Sequence, residues 1–380
     1  MIDVEGFVAP GYAKVVDAFR RNFDKRNEVG ASLCAYRDGE VVVDIWGGTR
    51  DVATNAPWQS DTLALGFSMT KGVTAIVVNL LIERGCIDPS ASVATYWPEF
   101  GVHGKAEITV TQLLSHQAGL PVIEGTFTLD AALAWDPVVI ALALQQPRWE
   151  PGQAHGYHLR SYGWLAGELV RRCDPQHRTV GEVLREDIAG PMGLDLWIGL
   201  PEIFEPRVAM LVPPLPDSFA IIPKHSDTWQ AMTGPDGLFG YNDMWNTRAL
   251  HEAMLPSSSG IGSARSFAKL YASLVGDGVA GFRLLLPSTV DSATTAQTRG
   301  PDRIIVRDTA FGLGFMLPPA LPAHAGPRSF GHGGAGGSTA FADPDANLAV
   351  CYLMNGLQFD FTKADMRAET LVRALYECSG

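Results

Sequence analysis

Hydrophobic positions change period several times along the chain, and the changes divide it into elements. Residues 12–27 carry Tyr12, Val15, Val16, Phe19 and Phe23 at helical spacing, which predicts an amphipathic opening helix. GASLCAYRDGEVVVDIWGG then reads as two strands around an Asp38-Gly39 turn, a pair that readily takes the positive φ of a type I′ hairpin. From Ser68 to Glu83 the pattern turns helical. Val73, Ile76, Val77, Leu80 and Leu81 share one face, but Ala75, Val78 and Ile82 fill much of the rest. A helix apolar nearly all round is a buried one. Arg84-Gly85 supplies a last-turn cation and a left-handed stop.

Between residues 108 and 250 the signals are helical segments and Pro-rich connections: ITVTQLLSH, SYGWLAGELVRR, and Thr179-x-x-Glu182 as a capping box before VLREDI. Another helix is expected to begin near Ser263–Ser266. After residue 300 strands return as RIIV, FGLGFML, a Gly-rich strand around 330–341 and LAVCYLMN, with the turn Asp343–Asn347 between the last two. Thr362-x-x-Asp365 should cap a final amphipathic helix carrying Met366, Leu371, Val372 and Leu375. No repeat or low-complexity tract interrupts this order. Hairpin first, helices in the middle, strands and helix last predicts an α+β fold, in which an antiparallel sheet from both chain ends is flanked by helices and a mostly helical lobe is inserted between.

Composition narrows the partners. Of 380 residues 46% are hydrophobic and 18% charged, so a sizeable core is expected. The formal charge of −12 argues against unaided binding to nucleic acid or an anionic membrane. No uncharged apolar run approaches the ~18 residues a spanning helix needs, and the acidic start MIDVEGFVAPGY lacks the pattern of a signal peptide. Five dispersed cysteines without a C-x-x-C pair read as free thiols of a reducing compartment. A cytoplasmic protein with a small-molecule substrate is the expectation. The pattern fixes no oligomeric state.

Three segments carry chemistry. Ser68-Met69-Thr70-Lys71 puts a hydroxyl and an amine three residues apart, on one face if Ser68 opens the buried helix. A serine hydroxyl is a weak nucleophile that needs a base, and a lysine serves when burial disfavours its ammonium. The bland alternative is an N-cap serine and a lysine reaching solvent, but a lysine one turn into an apolar helix is costly without a role. Tyr157, in Ala154-His155-Gly156-Tyr157-His158, is either an ordinary half-buried aromatic or a proton relay whose ionised form a nearby ammonium would favour. Phe330-Gly331-His332-Gly333-Gly334-Ala335-Gly336-Gly337 marks a bulge or a close approach, and its backbone N–H groups suit an oxyanion. With no lysine after it and a strand following, it does not read as a phosphate loop. His155-x-x-His158 lacks an acidic cluster, so no metal site is expected. His116 reads as a helix-end residue, and Ser338 as structural.

Taken together, Ser68-x-x-Lys71, Tyr157 and His332-Gly333-Gly334 resemble, in kind and order, the class C β-lactamases, DD-peptidases and family VIII carboxylesterases. The resemblance extends from roughly Gly30 to Asn355 and includes YWPEF and TVTQLLSHQAGLP. It implies a two-lobed β-lactamase/transpeptidase-like fold, residues 1–66 with 258–380 forming one lobe and 67–257 the other, with the site at their boundary. It also implies Ser68 as the acylated nucleophile, Lys71 and Tyr157 sharing general-base and general-acid work, the N–H groups of Ser68 and Ala335 as oxyanion hole, and no cofactor. His332, Gly333 and Gly334 would bind substrate. Two departures matter. Where β-lactamases have Tyr-x-Asn this chain has Tyr157-His158-Leu159, and where they have Lys-Thr-Gly it has His332-Gly333-Gly334. An amide, a permanent cation and a hydroxyl are lost, which favours neutral esters; ester hydrolysis on short acyl chains is the expectation. β-Lactamase or D-amino peptidase activity, acyl transfer, and non-catalytic binding are the rival readings.

Overall fold

A computed structural model describes residues 2–360 and 365–378. Its large sheet is built from β1 (Val4–Val8), β2 (Gly30–Arg37), β3 (Glu40–Asp51) and β4 (Ala56–Pro57) at one end of the chain. The other end supplies β8 (Thr298–Pro301), β9 (Asp308–Phe311), β10 (Met316–Leu317), β11 (Phe330–Gly333), β12 (Thr339–Asp343) and β13 (Leu348–Met354). The order is β1-β3-β2-β13-β12-β11-β10-β9-β8, with β4 on β3 and every pairing antiparallel. A smaller sheet pairs β7 (Gly260–Gly262) with both β5 (Ala64–Leu65) and β6 (Leu196–Ile198). This is the expected α+β architecture.

Local chemistry explains most elements. Asp38 and Gly39 both take positive φ, 51° and 79°, and join β2 to β3 as a type I′ hairpin requires. Helix α1 (Ala13–Lys25) buries Val15 and Phe19 and leaves Val16 and Phe23 half covered. Helix α2 (Met69–Glu83) is buried from Met69 through Leu81, and Gly85 stops it at φ 73°. It packs against α3 (Ser161–Cys173) and β11. Thr179 and Glu182 form the expected capping box, and Ser263 caps α4 (Ala264–Ala272). At α5 (Met366–Glu377) Asp365 accepts from the Arg367 N–H, while the proposed cap partner Thr362 lies outside the described residues.

Four segments differ from the pattern reading, one of them FGLGFML, which is not one strand but the turn of residues 312–315 between β9 and β10. Strand β1 was not anticipated, because its side chains are mostly exposed on a sheet edge and show no alternation. RIIV is a turn between β8 and β9, because the Asp302 carboxylate takes the N–H groups of Ile304 and Ile305 and bends the backbone. The Gly-rich stretch is a hairpin of two strands, β11 and β12, joined by residues 334–338. All five cysteines are unpaired thiols. Among the described residues no helix is long and apolar enough to cross a membrane.

Candidate active site

The turn into α2 sets the site. Phe67 sits at φ 44°, a left-handed conformation that costs about 1–3 kcal/mol for a bulky residue unless its surroundings enforce it. Enforcement comes from Tyr241 and Trp245, whose rings lie 5.6 and 5.1 Å from that of Phe67, and from a bridge between Phe67 and Ser259. The turn delivers Ser68 to the helix start with its hydroxyl unused as a cap and only 9% of the residue exposed. Lys71 is wholly buried, and its Nζ lies 3.1 Å from Ser68 Oγ. It donates at 3.0 Å to the Ser257 carbonyl, which close packing brings near: a Cβ on Gly163 of α3 would stand 2.6 Å from the Ser257 nitrogen. Burial pushes the Lys71 pKa well below the usual lysine range, and the Arg160 guanidinium pushes the same way. An uncharged amine that gives one N–H to Ser257 has its lone pair free for the Ser68 proton.

Tyr157 faces this pair. Its backbone N–H is held by both Asp302 oxygens at 3.0 and 3.1 Å. Phe311 stacks on its ring at 5.8 Å and His116 meets it edge-on at 5.1 Å. Lys71 Nζ stands 5.0 Å from the ring centroid. The phenol is 3.3 Å from His332 Nε2, and the other ring nitrogen, Nδ1, is 2.7 Å from the Gly333 carbonyl. A carbonyl only accepts, so Nδ1 carries the hydrogen and Nε2 accepts from the phenol; this tautomer follows from the network. Burial holds His332 down to about 3, so the ring stays neutral near neutral pH. Burial also raises the Tyr157 pKa, with the Ser68 hydroxyl and Arg160 only partly opposing it. The expectation that a neighbouring ammonium would ionise the tyrosine is therefore reversed. Burial disfavours the charged form of both groups, the ammonium of Lys71 and the phenolate of Tyr157.

The Gly loop closes the third side. Gly334 donates to the Ser338 carbonyl at 2.7 Å, and a Cβ on Gly334 would run into the Gly66 carbonyl and the Ser338 hydroxyl. Only glycine lets this loop approach the Ser68 turn so closely. Buried Arg367 fixes the loop from behind by donating to the Gly336 carbonyl, and is itself held by Glu28 and Asp365. Among the described residues neither the Ser68 nor the Ala335 backbone N–H has an acceptor. A backbone N–H without an acceptor is the kind of donor a developing oxyanion needs.

Comparison with known proteins identifies the family. Residues 17–374 match the Beta-lactamase family. The chain belongs to that family. It is 33% identical over 372 residues to the esterase/beta-lactamase LipL of Mycobacterium tuberculosis (strain ATCC 25618 / H37Rv), covering 93% of this chain and 83% of that protein. A family VIII carboxylesterase superposes with a TM-score of 0.91 at 38% identity, covering 99% of this chain and 100% of that one. A penicillin-binding protein homolog from Caulobacter crescentus superposes with a TM-score of 0.86 at 35% identity, with the same coverage.

Within this family fold, Ser68, Lys71, Tyr157 and His332 come together, and Gly333 and Gly334 lead into the loop that carries Ala335. His155 and His158 diverge: His155 contacts Thr298 and Thr309, while His158 donates to the Gly156 carbonyl and accepts from the Leu120 N–H. His116 follows the helix Val110–Leu114 and takes the His158 N–H on Nδ1, closer to Tyr157 than its sequence position suggested. Ser338 is buried against Gly334.

Sequence reasoning missed Asp302, Ser257 and Arg160. Asp302 follows a Gly-Pro pair, which signals a turn but not whose N–H groups its carboxylate collects. It is 3% exposed and accepts from Tyr157, Ile304, Ile305 and the Thr309 hydroxyl. Asp302→Asn replaces one accepting oxygen with a donor, at a cost of about 1–3 kcal/mol for each donor left unpaired. The expected result is a lower Tm and a kcat reduced about 10-fold or more, since 1.4 kcal/mol of misplacement is already tenfold. Steady-state kinetics and thermal unfolding check both.

Proposed function

We propose that this protein is a serine carboxylesterase that cleaves neutral, short-chain carboxylic esters through an acyl-enzyme on Ser68. The observation that carries the reading is the 3.1 Å approach of Ser68 Oγ to a wholly buried lysine amine whose pKa burial lowers. Two of the similar proteins bear names that include esterase activity, which supports the same reading.

In the proposed first half-reaction Lys71 takes the Ser68 proton as Oγ attacks the ester carbonyl. The oxyanion is received by the N–H groups of Ser68 and Ala335. Tyr157 gives its proton to the departing alkoxide, and the Lys71 ammonium returns a proton to the phenolate, so charges balance when the alcohol leaves. Water then repeats the sequence against the acyl carbonyl, releasing the acid. His332 holds the phenol by accepting its hydrogen bond, while Gly333 and Gly334 flank the substrate. No step needs a cofactor. Residues 1–66 with 258–380 and residues 67–257 would be the two lobes meeting here.

A cavity of about 180 Å³ with mostly apolar walls lies on the far side of Tyr241 from Phe67, and none of the four site residues lines it. Phe219, Ile222, Trp229, Met232 and Tyr241 are among its walls, and Tyr241 also packs on Phe67 next to the nucleophile. Unpaired thiols, two of them buried, suit a reducing compartment such as the cytoplasm.

Incubation with a short-chain nitrophenyl ester, followed by intact-mass and peptide mapping, should find the acyl group on Ser68. An adduct elsewhere, or none under turnover, defeats the assignment. Parallel assays with a chromogenic cephalosporin and with an added alcohol acceptor separate ester hydrolysis from lactam opening and acyl transfer. Tyr157→Phe should lower kcat by about 10²–10⁴-fold, the range of general acid–base catalysis, with little change in KM. An unchanged kcat removes Tyr157 from the proton relay.

A further inference from the structure

Arg160 immediately precedes α3, and its side chain is an anomaly. It is 4% exposed, and among the described residues no carboxylate lies within ion-pair distance of it. Its N–H groups go to neutral acceptors instead: the Met232 carbonyl at 3.0 Å, the Phe239 carbonyl at 3.2 Å and Ser258 Oγ at 2.8 Å. The rings of Trp245 and Tyr241 face its guanidinium at 5.0 and 5.1 Å. A buried cation without a counter-ion costs several kcal/mol, and a brace for the 232–245 segment would not need one.

What the charge faces explains its presence. The Ser257–Ser258 dipeptide joins Arg160 to Lys71: the Ser257 carbonyl accepts from Lys71 Nζ at 3.0 Å, and the Ser257 hydroxyl donates to the Arg160 carbonyl at 2.9 Å. Ser258 Oγ takes the guanidinium and lies 3.2 Å from Ser257 Oγ. The other titratable groups around Lys71 are uncharged near neutral pH. Burial keeps Tyr157 and Tyr271 as phenols, and His116 and His332 as free imidazoles. Arg160 is thus the fixed cation facing this lysine.

We propose that Arg160 is an electrostatic positioning residue, whose permanent charge keeps Lys71 as the free amine in the resting enzyme and favours negative charge passing onto the Tyr157 oxygen. The proposal rests on Lys71 being the base in the reading above. Like charges at short range in a poorly hydrated site resist joint ionisation, so protonating Lys71 beside Arg160 is disfavoured beyond what burial alone achieves.

The test is the pH profile of kcat/KM on a neutral nitrophenyl ester for the wild type, Arg160→Gln, Arg160→Met and Arg160→Lys, with thermal unfolding of each. Gln and Met remove the charge; Lys keeps it and loses the three-way hydrogen bonding. The acid limb is expected to move up by about one pH unit or more in the Gln and Met variants, and to stay at the wild-type position in the Lys variant. An acid limb unmoved by Gln or Met, whatever the loss in rate, makes Arg160 a brace only and overturns the proposal alone. A wild-type profile with no acid limb overturns the Lys71 base reading and this proposal with it. Should neither neutral variant fold, the Lys variant decides: a displaced limb refutes the charge argument, and a matched limb despite the lost hydrogen bonds upholds it.

Discussion

Ser68→Ala is expected to reduce ester turnover by about 10⁴-fold or more, the scale on which serine enzymes lose activity with their nucleophile. The effect should be chemical and not structural, for reasons visible around the residue. The Ser68 hydroxyl caps no backbone group of α2, so removing it leaves the helix start intact. Met69, Thr70 and Lys71 still donate to the Gly66, Phe67 and Ser68 carbonyls, and Phe67 keeps its aromatic clamp. The alanine methyl occupies space the serine already used, in a residue 9% exposed. Thermal unfolding within a degree or two of the wild type, together with loss of labelling by a fluorophosphonate, separates the chemical loss from misfolding. A folded Ser68→Ala protein with near-normal turnover would refute the nucleophile assignment outright.

The same turn shows why some of the site was legible in the sequence. Ser68 and Lys71 sit one helical turn apart, and helical periodicity alone puts them together. The buried character of α2 followed from counting apolar positions around it, and with burial came the direction of the Lys71 shift. Tyr157 and His332 were located by their order along the chain and by the resemblance, not by any local rule. Nothing local places the phenol on His332 Nε2, because that contact joins residues 175 positions apart. Spacing does not report depth, so a lysine lowered by burial and a tyrosine ionised by a neighbouring ammonium stood side by side in the sequence, and burial of both groups disfavours the second. Asp302 and Arg160 were invisible for a related reason. Each is an ordinary charged residue in sequence, and only tertiary burial shows that Asp302 collects N–H donors beneath Tyr157 while Arg160 lacks a counter-ion. RIIV misled because β-branched residues outvoted a single carboxylate that bends the chain. The Gly run was read as one strand because glycine lowers strand propensity evenly, without marking where β11 ends and β12 begins.

Lys71→Met should abolish turnover and make the protein more stable, a pairing that a merely structural lysine would not give. Methionine matches the length of the side chain and removes the base, so kcat should fall by about 10³-fold or more, in keeping with loss of an essential proton acceptor. Stability moves the other way for a reason the pH dependence exposes. Burial lowers the folded-state pKa of Lys71 well below the ordinary value of about 10.4 that the unfolded chain retains. Between those two values the unfolded chain holds the extra proton, so wild-type stability rises with pH across the window. Below the folded pKa both states are protonated, and the folded state bears the full cost of a buried ammonium. Methionine carries no proton in either state. The Tm gap between Lys71→Met and wild type should therefore be largest on the acid side and shrink as pH climbs toward the ordinary lysine range. Opposing it is the Ser257 carbonyl, which loses its donor at a cost of about 1–3 kcal/mol. That loss is independent of pH, so it can reduce the gap but not its slope. Unfolding curves across a pH series read the slope directly. A Lys71→Met protein less stable than wild type by a constant amount at every pH would mean that the lysine is not held against its charge, and would remove the physical basis for its acting as the base.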